Sequence, residues 1–95
     1  MAAYIIADIE ILDPEEYRNY AQHTQATLDK YGGKFIVRGG QSETIEGDWQ
    51  PKRVVVIEFP SMEQAKVWYN SPEYSAIAPI RQRSTHSRII LVQGV

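Results

Sequence analysis

The chain has 95 residues, 43% hydrophobic and 23% charged, with a net charge of −2 and no cysteine. That is enough for one hydrophobic core and too little for two, so residues 1–95 are expected to form a single domain. The acidic balance argues against a nucleic-acid binder, missing thiols exclude disulfides and thiolate metal sites, and no apolar run approaches the ~18 residues of a membrane span.

The first residues, Met1 to Ile6, lack a basic region and meet Asp8 and Glu10 too soon for a secretory signal. A soluble cytoplasmic protein without a cofactor is the expectation. Ala3 to Leu12 alternates and reads as a strand. Ile5, Ala7, Ile9 and Ile11 form one face, and Tyr4, Ile6, Asp8 and Glu10 the other. Asp13-Pro14-Glu15-Glu16 then carries a helix start: an N-cap, a proline at the first helical position and acids near the positive helix end. Tyr17, Tyr20, Ala21, Thr24, Leu28 and Tyr31 recur at helical spacing, and Gly32-Gly33 ends the helix.

Lys34 to Arg38 reads as a short second strand. Gly39 to Lys52, with three glycines and Pro51, reads as a long loop of the kind that carries function or an interface. Arg53 to Phe59 is the strongest strand signal. Ser61 caps the next helix, with Met62, Ala65, Trp68 and Tyr69 on its apolar side. Ser71-Pro72-Glu73 restarts a helical segment, which Pro79 is expected to break or kink. Arg81, Arg83 and Arg88, with His86 among them, read as a solvated loop or an anion-binding run. Arg88 to Gln93 is the last strand.

The order β-α-β-β-α-β predicts an α+β, ferredoxin-like domain. Its four-stranded antiparallel sheet has strand order 4-1-3-2, with the helices on one face. The other face should carry Tyr4, Ile6, Ile36, Val54 and Val56, joined by Ile90 and Val92 or by Ile89 and Leu91. Burying these side chains is worth roughly 10–20 kcal/mol gross, against an association cost of about 4–15 kcal/mol. A homodimer that pairs this face with itself is the simplest cover.

Glu58-Phe59-Pro60-Ser61, Ala65, Trp68 through Tyr74 and Arg81, with Gly39-Gly40 and Glu46-Gly47 in the long loop, form a further pattern. Over nearly its whole length the chain resembles the domain of unknown function 1330 family, within the dimeric α/β-barrel superfamily. The resemblance implies a homodimer whose two sheets pack face to face, and no established reaction. The wider superfamily includes cofactor-free monooxygenases, isomerases and haem-binding enzymes, an analogy at fold level only.

Two groups are candidates for chemistry. Asp8 and Glu10 end the first strand and Arg38 ends the second, so they should meet at one mouth of the open face, near the segment from Arg81 to Arg88. Glu58 should lie on the same face at the other end. Either Asp8 or Glu10 pairs with Arg38 to seal the dimer, or the arginine holds a small anionic substrate while a desolvated carboxylate with a raised pKa acts as base; plain exposure is the third reading. Trp68, Tyr69 and Tyr74 are helix-face core or the wall of a pocket. The resemblance joins Trp68, Tyr74 and Arg81 into one unit, with Arg81 paired to Glu73 or facing a ligand. His23 and His86 have no partner at metal-ligand spacing, and His23 falls on a polar helix flank, so no metal site is expected.

Overall fold

A computed structural model describes residues 1–95. The elements are β1 (Ala3–Ile11), α1 (Pro14–Tyr31), β2 (Lys34–Arg38), β3 (Val54–Phe59), α2 (Met62–Tyr69), α3 (Pro72–Ser84) and β4 (Thr85–Gln93). One sheet runs β2-β3-β1-β4 with every neighbour antiparallel, which is the expected ferredoxin-like order.

The helices begin where side-chain oxygens take up free backbone N–H groups. Asp13 Oδ1 accepts from the Glu16 N–H at 3.1 Å, Ser61 Oγ from Gln64 at 3.0 Å and Ser71 Oγ from Tyr74 at 3.1 Å. Gly32, at φ +79°, ends α1 in the left-handed conformation. The core lies between the helices and one sheet face. Ile5, Ala7 and Ile9 of β1 and Val55, Ile57 and Phe59 of β3 pack against Tyr20, Leu28, Trp68 and Tyr74.

Three features depart from expectation. Of the two outcomes expected at Pro79, a break does not occur, and α3 runs through to Ser84. Proline removes the donor to the Ser75 carbonyl, but both residues are exposed and water can serve instead. Second, β4 starts at Thr85 rather than Arg88, so the arginine-rich run is not a loop. Arg81 and Arg83 lie on α3, with Arg83 bonded to Glu16, while Arg88 lies on β4.

The third departure changes the site. Phe35 pairs with Ile57, but Val37 pairs with Val56 and Arg38 with Val55, so β2 bulges between Phe35 and Val37. A shift of one residue reverses which face each later side chain meets. Arg38 is therefore carried to the helix side, away from Asp8 and Glu10.

On the open face, Tyr4, Ile6, Val54 and Val56 are half-buried in the single protomer, and Ile36 and Val37 are exposed. The register settles the contribution of β4. Ile90 pairs with Ile6 and Val92 with Tyr4, so these two share the open face, while Ile89 and Leu91 turn towards the helices. Ile90 is 61% exposed.

Candidate functional site

A cavity of about 130 Å³ lies between sheet and helices. Ile5, Ala7 and Ile9 form its floor from β1, Val55 and Ile57 from β3, and Trp68, Tyr69 and Tyr74 close it from the helices. The indole N–H of Trp68 is turned to Thr27 Oγ1 at 3.0 Å, so this residue offers the cavity only its ring. That ring lies 4.0 Å, centroid to centroid, from Tyr74 and 5.4 Å from Phe59.

Polar groups enter from three sides. Arg81 is only 5% exposed, and its one side-chain hydrogen bond runs from Nε to Tyr74 Oη at 3.2 Å. Tyr74 Oη is 2.8 Å from Tyr20 Oη. Arg53 and Arg38 complete the set: Arg53 lies 5.9 Å from the Tyr17 ring centre, and Arg38 lies 4.6 Å from that of Phe35. Gly39, at φ +71°, makes room for Arg53, because a Cβ there would fall 2.0 Å from Arg53 Nη1. The Nε of Arg53 is buried without a hydrogen-bond partner.

No aspartate or glutamate lines this cavity. Glu73, a partner considered for Arg81, bonds instead to Lys30 and to Tyr31 Oη, which hold its carboxyl down at about 2. Burial works against the charge of Arg81, but the Tyr74 hydroxyl, with Tyr20 and Tyr69 behind it, outweighs burial and raises its pKa. Burial, reinforced by Tyr74, pushes the Tyr20 phenol far above its ordinary value. The cavity thus sets the Arg81 guanidinium beside the Tyr74 and Tyr20 hydroxyls.

The mouth of the open face is differently arranged. Asp8 Oδ2 accepts from Trp49 Nε1 and Arg88 Nη2, each at 2.9 Å, and Oδ1 accepts from the Lys52 backbone N–H at 3.1 Å. These donors, Trp49 first, hold its pKa below the ordinary aspartate value against the opposing effect of burial. That is the reverse of the raised pKa expected for a base. Glu10 lies on the same face, exposed, 3.8 Å from His86. Glu58 occupies the opposite end, 3.3 Å from both Tyr4 Oη and Lys34 Nζ.

The family described as Domain of unknown function (DUF1330) matches residues 2–95. The chain belongs to this family. No curated protein matches the sequence. Among solved structures, a protein of unknown function from Rhodopseudomonas palustris is similar at TM-score 0.81 and 19% identity, covering 99% of this chain and 82% of its own. SnoaB, a cofactor-independent oxygenase from Streptomyces nogalater, is similar at TM-score 0.67 and 12% identity, over 99% and 93% of the two chains. A dimeric ferredoxin-like protein of unknown function from Jannaschia sp. CCS1 gives TM-score 0.67 at 9% identity, over 99% and 100%. At these identities the likeness establishes the shared fold.

In the DUF1330 chain, the four residues expected to meet a ligand, Arg38, Trp68, Tyr74 and Arg81, all line one cavity. Arg38 does so through the bulge, not through the expected meeting with Asp8 and Glu10. Sequence reading missed Tyr17, Tyr20 and Arg53 as cavity residues. Their signal was present: two phenols one helical turn apart on the buried stripe of α1, and an arginine opening the most apolar strand. Trp49 was missed as the anchor of Asp8, although it is the sole tryptophan of the long loop.

Proposed function

We propose that this DUF1330 chain is a homodimeric binding domain for a small organic anion with an apolar, ring-sized body, held in the cavity between sheet and helices. One observation carries the reading. Arg81 is buried in an apolar, aromatic cavity and has no carboxylate partner. Buried charges are normally paired, because leaving one alone is costly. An incoming carboxylate or enolate supplies the missing charge through charge-assisted hydrogen bonds. The size agrees: a cavity of roughly 150 Å³ holds one benzene ring, and this one measures about 130 Å³.

The homodimer is supported by the open face. Tyr4, Ile6, Val54 and Val56, with Ile36, Val37, Ile90 and Val92, leave an apolar sheet surface that no helix of the chain covers. Pairing that face with a second copy buries it and leaves the cavity on the far side of the sheet.

A cofactor-independent oxygenase or isomerase is the second reading. Arginine and phenol donors would also stabilise an oxyanion formed during reaction. Neither a carboxylate nor an imidazole lines the cavity to take a proton, however, so binding is the better supported function. Thermal-shift measurements with benzoate, phenylacetate and salicylate, against their neutral amides, test the proposal. Stabilisation by the acids and not the amides is expected. No response to any acid at millimolar concentration defeats it. Oxygen uptake in the presence of a bound hydroxyaromatic acid would move the assignment to the second reading.

A further inference from the structure

Donors and acceptors are unequal where Arg81, Tyr74 and Tyr20 meet in the cavity. Each tyrosine hydroxyl has one proton to donate and lone pairs to receive. Tyr20 Oη and Tyr74 Oη share one hydrogen bond at 2.8 Å, which uses one of their two protons. Arg81 Nε donates into the same pair at 3.2 Å and adds no acceptor. The second phenol proton therefore has no protein acceptor, although Tyr20 and Tyr74 are both buried. The remaining N–H groups of Arg81 have none either. Thr24, one turn along α1, spends its own proton on the Tyr20 carbonyl at 2.8 Å.

The direction of the chain follows from the cation. An N–H of Arg81 polarises the Tyr74 hydroxyl and makes it the better donor towards Tyr20, since successive hydrogen bonds strengthen one another when aligned head to tail. The sequence Arg81 to Tyr74 to Tyr20 then ends on the Tyr20 O–H. Tyr74 is a positioning residue here: it bonds to both neighbours and passes the orientation on.

Resting on the anion-binding reading above, we infer that Tyr20 selects the ligand's head group: the site takes an acceptor-only head, a carboxylate or carbonyl oxygen on a ring, with the Tyr20 hydroxyl donating to it beside Arg81. A head made only of N–H donors leaves both the Tyr20 proton and the Arg81 charge unanswered and is rejected, because burying unmatched polar groups discriminates more strongly than adding apolar contact.

Titrations of the full chain followed by NMR, with benzoate, acetophenone and benzamidine as probes, test the assignment on wild type, Tyr20→Phe and Arg81→Met. Benzoate is expected to bind best, acetophenone less well and benzamidine not at all. Tyr20→Phe should weaken both benzoate and acetophenone by about tenfold, the worth of one hydrogen bond. Arg81→Met should weaken benzoate more than acetophenone. If benzoate fails on wild type, the anion site itself is lost. If benzoate binds wild type and loses affinity in Arg81→Met but not in folded Tyr20→Phe, the anion site stands and the role of Tyr20 is overturned. Should Tyr20→Phe fail to fold, the wild-type series decides: benzamidine binding as well as benzoate overturns the acceptor-only head, and its rejection supports it.

Discussion

Arg88 and Arg81 approach opposite faces of the same sheet, and they differ in burial and in counter-charge. Arg88, on the open face, meets Asp8, whose carboxylate also receives Trp49 and Lys52. Its charge is answered within the chain, and that carboxylate has little capacity left for a ligand. Arg81, on the helix side, is almost wholly buried and has only the Tyr74 hydroxyl. An arginine with its counter-charge built in fastens structure together, whereas a buried one without it holds a standing preference for an anion. On the proposed function, the sheet separates two tasks: pairing on the open face and recognition behind it.

The largest effect that would break this division is on assembly. Val56 is half-buried on the open face of β3, opposite Ile6. In the proposed dimer, Val56→Lys places an unpaired charge on each side of the twofold interface and should cost more than about 3 kcal/mol per dimer. Light scattering at micromolar concentration should report a dimer for wild type and a folded monomer for the variant. A wild-type monomer would remove the open face as an interface.

The two arginines come next. Arg81→Met should weaken benzoate binding by about 10- to 100-fold, the range for charge-assisted hydrogen bonds of roughly 1.5–3 kcal/mol. Folding stability should stay level or rise, because a buried unpaired cation gives way to an apolar side chain. Arg88→Met should do the reverse, with unchanged ligand affinity and a loss of up to about 1 kcal/mol of stability, since Arg88 itself is largely exposed. Matching losses of affinity in both variants would erase the distinction between the faces.

Most of the fold was legible in the sequence because its signals are local. Asp13, Ser61 and Ser71 fix three helix starts by their own side chains, and alternation along β1 assigns its faces one residue at a time. The bulge in β2 was not legible. A five-residue strand of Lys34, Phe35, Ile36, Val37 and Arg38 offers apolar side chains to either face, so its register depends on the pairing with β3. That single irregularity sends Arg38 to the cavity. Pro79 misled for a related reason: its cost depends on whether the carbonyl it orphans faces water, and exposure is a tertiary property. Trp68, Tyr74 and Arg81 were grouped through the family pattern, while Tyr20 reads as ordinary helix core until its hydroxyl is seen against Tyr74.

A smaller effect follows from Asp8. Its pKa is depressed on folding, so the charged form contributes stability that is fully present above the unfolded value of about 3.9 and is lost as pH falls through the lower folded value. Asp8→Asn should cost about 1–2 kcal/mol at pH 7, the scale of one or two lost charge-assisted hydrogen bonds. In urea unfolding the gap to wild type should narrow steadily as pH is lowered below about 4. A gap that widens in acid would mean that Asp8 is protonated in the folded state, as a carboxyl acid–base group requires, and would reopen the mouth as a catalytic site.

The smallest effect tests the bulge. Arg38 is exposed at the cavity rim and rests on the Phe35 ring, a contact worth about 0.5–1 kcal/mol at such a site. A rim charge acts mainly on encounter, so Arg38→Ala should slow ligand association a few-fold and flatten its dependence on salt. Dimerisation should not change, because the register turns this side chain away from the open face. If Arg38→Ala instead weakened the dimer and left ligand binding untouched, the residue would belong beside Asp8 and Glu10. The shift between Phe35 and Val37 would then be wrong, and with it the separation of pairing from recognition at that end of the sheet.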